Sequence, residues 1–105
     1  MTSSVRVCSR EDLQPGTAKR FDLEGHRIAV VRIKDDFYAI GDRCSHADYS
    51  LSEGDVYERE KEIECWKHGS TFSLLTGEPQ SLPATKSVPV YEVAVVGDDV
   101  MVSLP

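Results

Sequence analysis

Apolar and polar positions alternate with a period of two through most of the chain, and that period predicts strands. Val5-Arg6-Val7-Cys8 alternates near the start, and Ala18 to Glu24 does so through Phe21 and Leu23. Arg27 to Ile33 differs, being β-branched and apolar at successive positions, as expected of a strand covered on both faces. Between these runs, Glu24-Gly25-His26 and Lys34-Asp35-Asp36 carry turn residues, and Phe37 to Ile40 continues a meander. Further on, Thr71 to Leu75 with Thr76-Gly77-Glu78-Pro79 predicts another hairpin, and Val90 to Val96 is expected to pair with Val100 to Leu104 across Gly97-Asp98-Asp99.

Helical signals are sparse. Ser9-Arg10-Glu11-Asp12 places an acid three residues after a capping Ser, and Pro15-Gly16 stops whatever begins there within about a turn. Short strands at regular spacing with polar turns indicate an all-β antiparallel sandwich or barrel. Glu58-Arg59-Glu60-Lys61-Glu62 mixes both signs and suits a solvated hairpin tip. The chain shows no repeat, low-complexity tract or linker, and its 105 residues suit a single domain spanning 1–105.

Composition narrows the function. Apolar residues make up 40% of the chain and charged residues 29%, the balance of a folded globular protein. The net charge of −6 argues against a nucleic-acid binder and suits a basic protein partner or simple solubility. No apolar run is long enough for a membrane span, and MTSSVRVCSRED lacks the apolar core of a signal peptide, so a soluble cytoplasmic protein is expected. An odd set of three cysteines, at 8, 44 and 65, does not close into a disulfide framework. Cys8 fits a buried filler.

The chemistry lies in RCSHAD, residues 43–48, and ECWKHGS, residues 64–70. Each segment offers one thiolate and one imidazole, Cys44 with His46 and Cys65 with His68, following the strand-like runs Tyr38-Ala39-Ile40 and Glu62-Ile63-Glu64. Four such donors make a metal site. A single zinc would take them tetrahedrally, although zinc sites usually pair Cys with Cys and His with His along the chain. The mixture also suits a two-iron centre with both thiolates on one iron and both imidazoles on the other. His26, alone beside a turn Gly, is expected to be an exposed turn residue.

Cys44-x-His46, eighteen residues, then Cys65-x-x-His68 resembles the Rieske [2Fe–2S] signature. The resemblance extends from Leu13-Pro15-Gly16 to Val100-Met101-Val102 and is nearest to the small ferredoxins of bacterial multicomponent ring-hydroxylating oxygenases. It implies a Rieske-like fold with a cluster-binding subdomain of two loops at about 42–84, and one [2Fe–2S] cluster. Cys44 and Cys65 would hold the inner iron and His46 and His68 the outer one. Leu82-Pro83-Ala84 resembles the proline loop that covers the cluster in the family.

Respiratory-chain Rieske proteins add two cysteines joined in a disulfide, and those positions are Tyr49 and Lys67 here. Their Ser and Tyr hydroxyls near the cluster sulfurs correspond to Ser70 and Phe72. Hydrogen bonds to sulfur stabilise the more negative reduced cluster, so the loss of one hydroxyl in an acidic protein implies a potential toward the low end of the Rieske range.

By this resemblance the chain is a one-electron carrier, taking electrons from a reductase and passing them to a terminal oxygenase or a similar redox enzyme. It would be a monomer and not itself an enzyme, since oxygenase catalytic subunits need a second, mononuclear iron site and several hundred residues. Asp42, Asp48, Glu53 and Asp55 offer an acidic rim around the ligands that would steer a basic partner or simply be solvated. The alternatives are a small Rieske subunit of a larger, nitrite-reductase-like enzyme, a redox-sensing or iron–sulfur-assembly module, and a structural zinc domain.

Overall fold

The computed structural model describes residues 3–43, 50–66, 69–80 and 86–104. Their strands are β1 (Ser3–Ser9), β2 (Thr17–Leu23), β3 (His26–Ile33), β4 (Asp36–Gly41), β5 (Val56–Tyr57), β6 (Glu62–Glu64), β7 (Thr71–Ser73), β8 (Val90–Tyr91), β9 (Val93–Val96) and β10 (Asp99–Leu104). They form three antiparallel sheets: a terminal sheet β1-β10-β9, a central sheet β2-β3-β4-β8 and a small sheet β5-β6-β7. The expected all-β class is the one observed.

The doubly apolar run in β3 explains the layering. Ile28 and Val30, with Phe37 and Ala39 of β4, pack against Val100, Val102 and Leu104 of β10 and against Cys8 and Leu13. Ala29, Val31 and Ile33 point the other way and join Ile40, Ile63, Phe72 and Leu74. Because strand side chains alternate faces, β3 contributes to both cores, and the central sheet lies between the terminal sheet and the small one. Each fully buried Val or Ile here contributes roughly 1.5–3 kcal/mol relative to an exposed one. Cys8 is buried as the pattern implied, and burial pushes its thiol pKa up.

The β2–β3 connection is a two-residue turn in which Glu24 (φ 48) and Gly25 (φ 84) both take left-handed backbone, the form that matches strand twist. His26 is therefore not the exposed turn residue expected. It opens β3 opposite Leu23, half-buried, with its ring edge-on to Tyr91 at 6.0 Å.

Two further elements differ from the pattern. Val90 to Val96 is not one strand: Val90–Tyr91 pairs with β4, Val93–Val96 pairs with β10, and Glu92 stands between them. The chain changes sheets there, which a continuous apolar alternation does not reveal. The hairpin expected after Thr71 is also reduced, because β7 pairs with β6 and the returning arm adds a single bridge, Phe72 to Pro79. Proline has no N–H to extend that ladder.

The turn near the start is a 3-10 helix, Arg10–Asp12, in which the Asp12 carboxylate accepts a hydrogen bond from the Ser9 amide at 3.0 Å. The run expected as a solvated hairpin tip is exposed from Glu58 to Lys61 between β5 and β6.

Candidate metal centre

Both predicted ligand segments hang from the small sheet and its junction with β4. The first leaves β4 at Gly41 and returns through a 3-10 turn, Leu51–Glu53, into β5. The second connects β6 to β7. Of the predicted ligands, Cys65 is within the described residues, whereas Cys44, His46 and His68 lie outside them, as do Pro83, Asp48, Tyr49 and Lys67.

Cys65 follows β6 and is fully buried, in the same apolar cluster as Leu51, Ile63, Phe72 and Leu74. Its amide donates to the Ser70 carbonyl at 2.6 Å, and the Gly69 amide donates to the Cys65 carbonyl at 2.9 Å. Two backbone bonds thus close the base of the second segment. Gly69 lies at φ +78, a backbone form that glycine adopts without a Cβ penalty. Ser70 and Phe72, the residues expected next to the ligands, are both fully buried, and Trp66 beside Cys65 is 49% exposed.

The first segment is closed in the same manner. Arg43 and Ser50 form an antiparallel bridge across its mouth, and the Leu51 amide donates to the Asp42 carbonyl. The Asp42 carboxylate accepts from the Ser50 hydroxyl and, at 2.8 Å, from the Ser52 amide. Asp42 is fully buried, so it does not belong to the acidic rim in which the sequence placed it, whereas Glu53 and Asp55 are exposed. The side chain turns inward because it has hydrogen-bond donors there that solvent would otherwise supply. Nothing in the local sequence marks it beyond an acid following Gly41 at a strand end.

The two segments are brought together at their inner ends. The Glu64 amide donates to the Asp55 carbonyl at 2.9 Å, and Gly54 lies so close that a Cβ on it would fall 1.6 Å from the Glu64 carbonyl oxygen. Glu64 directly precedes Cys65, so the return from one segment touches the start of the other. On the outer side, Tyr57 donates a hydrogen bond to the Glu64 carboxylate, and this bond holds the phenol pKa above its ordinary value.

A buried thiol at the end of a short strand, on a base locked by backbone bonds and abutting the return of the segment that carries the first Cys–His pair, fits a dinuclear iron–sulfur group with mixed ligation. The Rieske [2Fe-2S] domain family matches residues 3–92. This chain is a Rieske protein.

Its cofactor is one [2Fe–2S] cluster, a group that accepts and releases single electrons. The Rieske chain is 39% identical over 100 residues to the ferredoxin component of biphenyl 2,3-dioxygenase from Rhodococcus jostii, with 95% of this chain and 92% of that one covered. It is 42% identical over 104 residues to the ferredoxin CarAc of Metapseudomonas resinovorans, with 94% and 92% covered. Among solved structures, the ferredoxin of carbazole 1,9a-dioxygenase from Nocardioides aromaticivorans superposes with a TM-score of 0.92 at 39% identity, covering 95% of this chain and 96% of that one. A ferredoxin in a complex of reduced oxygenase and oxidized ferredoxin in carbazole 1,9a-dioxygenase superposes at 0.88 with 42% identity, covering 95% and 92%. Among the described residues of this Rieske chain, no helix is long and apolar enough to cross a membrane.

Proposed function

We propose that the chain is the ferredoxin component of a multicomponent dioxygenase, a soluble cytoplasmic monomer that takes one electron from a reductase and delivers it to a terminal oxygenase. The observation that carries this is the likeness, near 40% identity over almost the full length, to ferredoxin components of biphenyl and carbazole dioxygenases. The complex of a similar ferredoxin with its oxygenase supports the same partner class.

In this function Cys44 and Cys65 hold the inner iron and His46 and His68 the outer one, within a single domain, 1–105, whose cluster-binding part spans about 42–84. The buried Cys65 suits the inner position. Ser70, Phe72 and Pro83 surround the ligands and tune the cluster, and the chain carries out no catalysis of its own. Trp66, half-exposed and two residues before the proposed outer-iron ligand His68, gives the partner an apolar contact.

The test is direct. The protein is reduced, mixed in a stopped-flow instrument with an oxidised terminal oxygenase of a biphenyl or carbazole system, and followed by the bleaching and recovery of the cluster absorption. Reoxidation of the ferredoxin coupled to oxygenase turnover is expected. Failure to exchange electrons with such oxygenases, together with co-purification with a large flavin or haem chain, would assign it instead as the small subunit of a larger reductase.

A further inference from the structure

Asp42 is the one fully buried charged side chain among the described residues, and the electron-carrier function does not by itself use it. It is fully buried at the point where β4 ends, two residues before Cys44. Its own amide donates to the Arg27 carbonyl at 3.0 Å, and its carbonyl accepts from the Leu51 amide. One carboxylate oxygen takes the Ser52 amide, and the other takes the Ser50 hydroxyl, which in turn lies 2.8 Å from the Ser52 hydroxyl. The same oxygen has Arg20 Nε at 3.8 Å and an Arg27 guanidinium nitrogen at 3.9 Å, reaching in from β2 and β3. Every polar atom of this residue is thus engaged, and its contacts converge on both ends of the segment between Arg43 and Ser50.

A buried carboxylate is retained only where hydrogen bonds and countercharges offset its desolvation. A neutral loop staple would need neither arginine. We propose that Asp42 is the positioning residue of the first ligand segment: it shuts the base through Ser50, Ser52 and Leu51, and so sets how Cys44 and His46 are presented. Its position also places one negative charge, countered by Arg20 and Arg27, two residues before the proposed ligand Cys44. This assignment rests on the proposed ligand set. It is distinct from ligation, because Asp42 acts through the chain that carries the ligands. The charge and the hydrogen bonds can be separated by substitution. Asp42→Asn keeps the shape and one acceptor but removes the charge, whereas Ser50→Ala removes one arm and no charge.

The experiment compares the cluster-loaded full chain with Asp42→Asn, Asp42→Ala and Ser50→Ala, reading iron per chain, the low-temperature EPR spectrum of the reduced protein, the midpoint potential and far-UV circular dichroism. Asp42→Ala is expected to lose most of its iron while the sheets persist. Asp42→Asn is expected to shift the midpoint upward, since removing a negative charge favours the more negative reduced cluster. Ser50→Ala is expected to hold its iron with an altered EPR line shape. If Asp42→Asn and Ser50→Ala both match the wild type in potential and line shape, the assignment is overturned. A shifted Asp42→Asn with an unchanged Ser50→Ala leaves a charge effect alone and overturns the positioning role. Should an Asp42 variant lose its sheets, the Ser50→Ala line shape decides. A wild-type protein without a Rieske EPR signal overturns the cluster reading itself, whereas a wild type with that signal and inert variants overturns only the role of Asp42.

Discussion

Gly54 and the Glu64 carbonyl oxygen approach so closely that a single added methyl on the glycine would lie 1.6 Å from that oxygen. One residue returns from the first ligand segment and the other leads into Cys65, so this contact sets the spacing of the two segments. The backbone at Gly54 is ordinary in φ, which makes space, not conformational freedom, the reason for glycine.

Gly54→Ala therefore forces the two segments apart. Overpacking of this kind typically costs about 1–3 kcal/mol. The expected outcome is a lower melting temperature and reduced iron per chain, measured by thermal circular dichroism and metal analysis. Wild-type values for both would show that the segments are spaced by something else.

Cys8 and Cys65 are both buried but lie in different apolar clusters. Cys8 packs between the terminal and central sheets, with Val100 and Val102. Cys8→Ala is expected to keep the full cluster absorption and lose on the order of 1 kcal/mol in denaturant unfolding, the scale of a small cavity. Cys65→Ser is expected to abolish the visible absorption. Loss of colour in the Cys8 variant would contradict the division of roles.

Asp12 holds a pH-dependent share of stability. The hydrogen bond from the Ser9 amide, with a further contribution from the Ser9 side chain, lowers its carboxyl pKa below the ordinary value of 3.8. A lowered folded pKa means that the contribution is present above that ordinary value and is lost as pH falls through the folded one. Asp12→Ala should melt below the wild type at neutral pH, with the gap closing in acid. Scanning calorimetry across that range checks it, and a gap that widens on acidification contradicts it.

Phe72 is fully buried in the cluster of apolar residues that also holds Cys65. By resemblance it takes the place of a hydroxyl that would donate to a cluster sulfur. The midpoint potential is expected toward the low end for Rieske centres, on the order of −150 mV. Phe72→Tyr should raise it. Film voltammetry giving a wild-type value near the top of the range, or a fall in the variant, would contradict this. If His46 and His68 hold the outer iron as proposed, the potential should also decrease with rising pH in the alkaline range, because oxidised iron favours loss of their imidazole protons, and a potential flat across that range would contradict it.

The apolar doubling of Arg27 to Ile33 was legible as a strand covered on both faces, and it is the strand that joins the two cores. The family was legible from two short Cys–His segments, because few other arrangements put one soft and one borderline ligand on each of two loops. What escaped the pattern depends on contacts distant in sequence. The sheet switch at Glu92 follows from β4 and β10 competing for one apolar run. Asp42 reads in sequence as one more surface acid, and only Ser50, Ser52 and the two arginines from β2 and β3 show why it turns inward. His26 moved from turn to strand because two residues with positive φ suffice to reverse the chain.

Low-temperature EPR of the dithionite-reduced protein, with iron and acid-labile sulfide measured on the same sample, tests the central claim most directly. A Rieske-type signal integrating to one spin per cluster, from equal iron and sulfide, is the expected result. A colourless, EPR-silent chain with one zinc bound would contradict it.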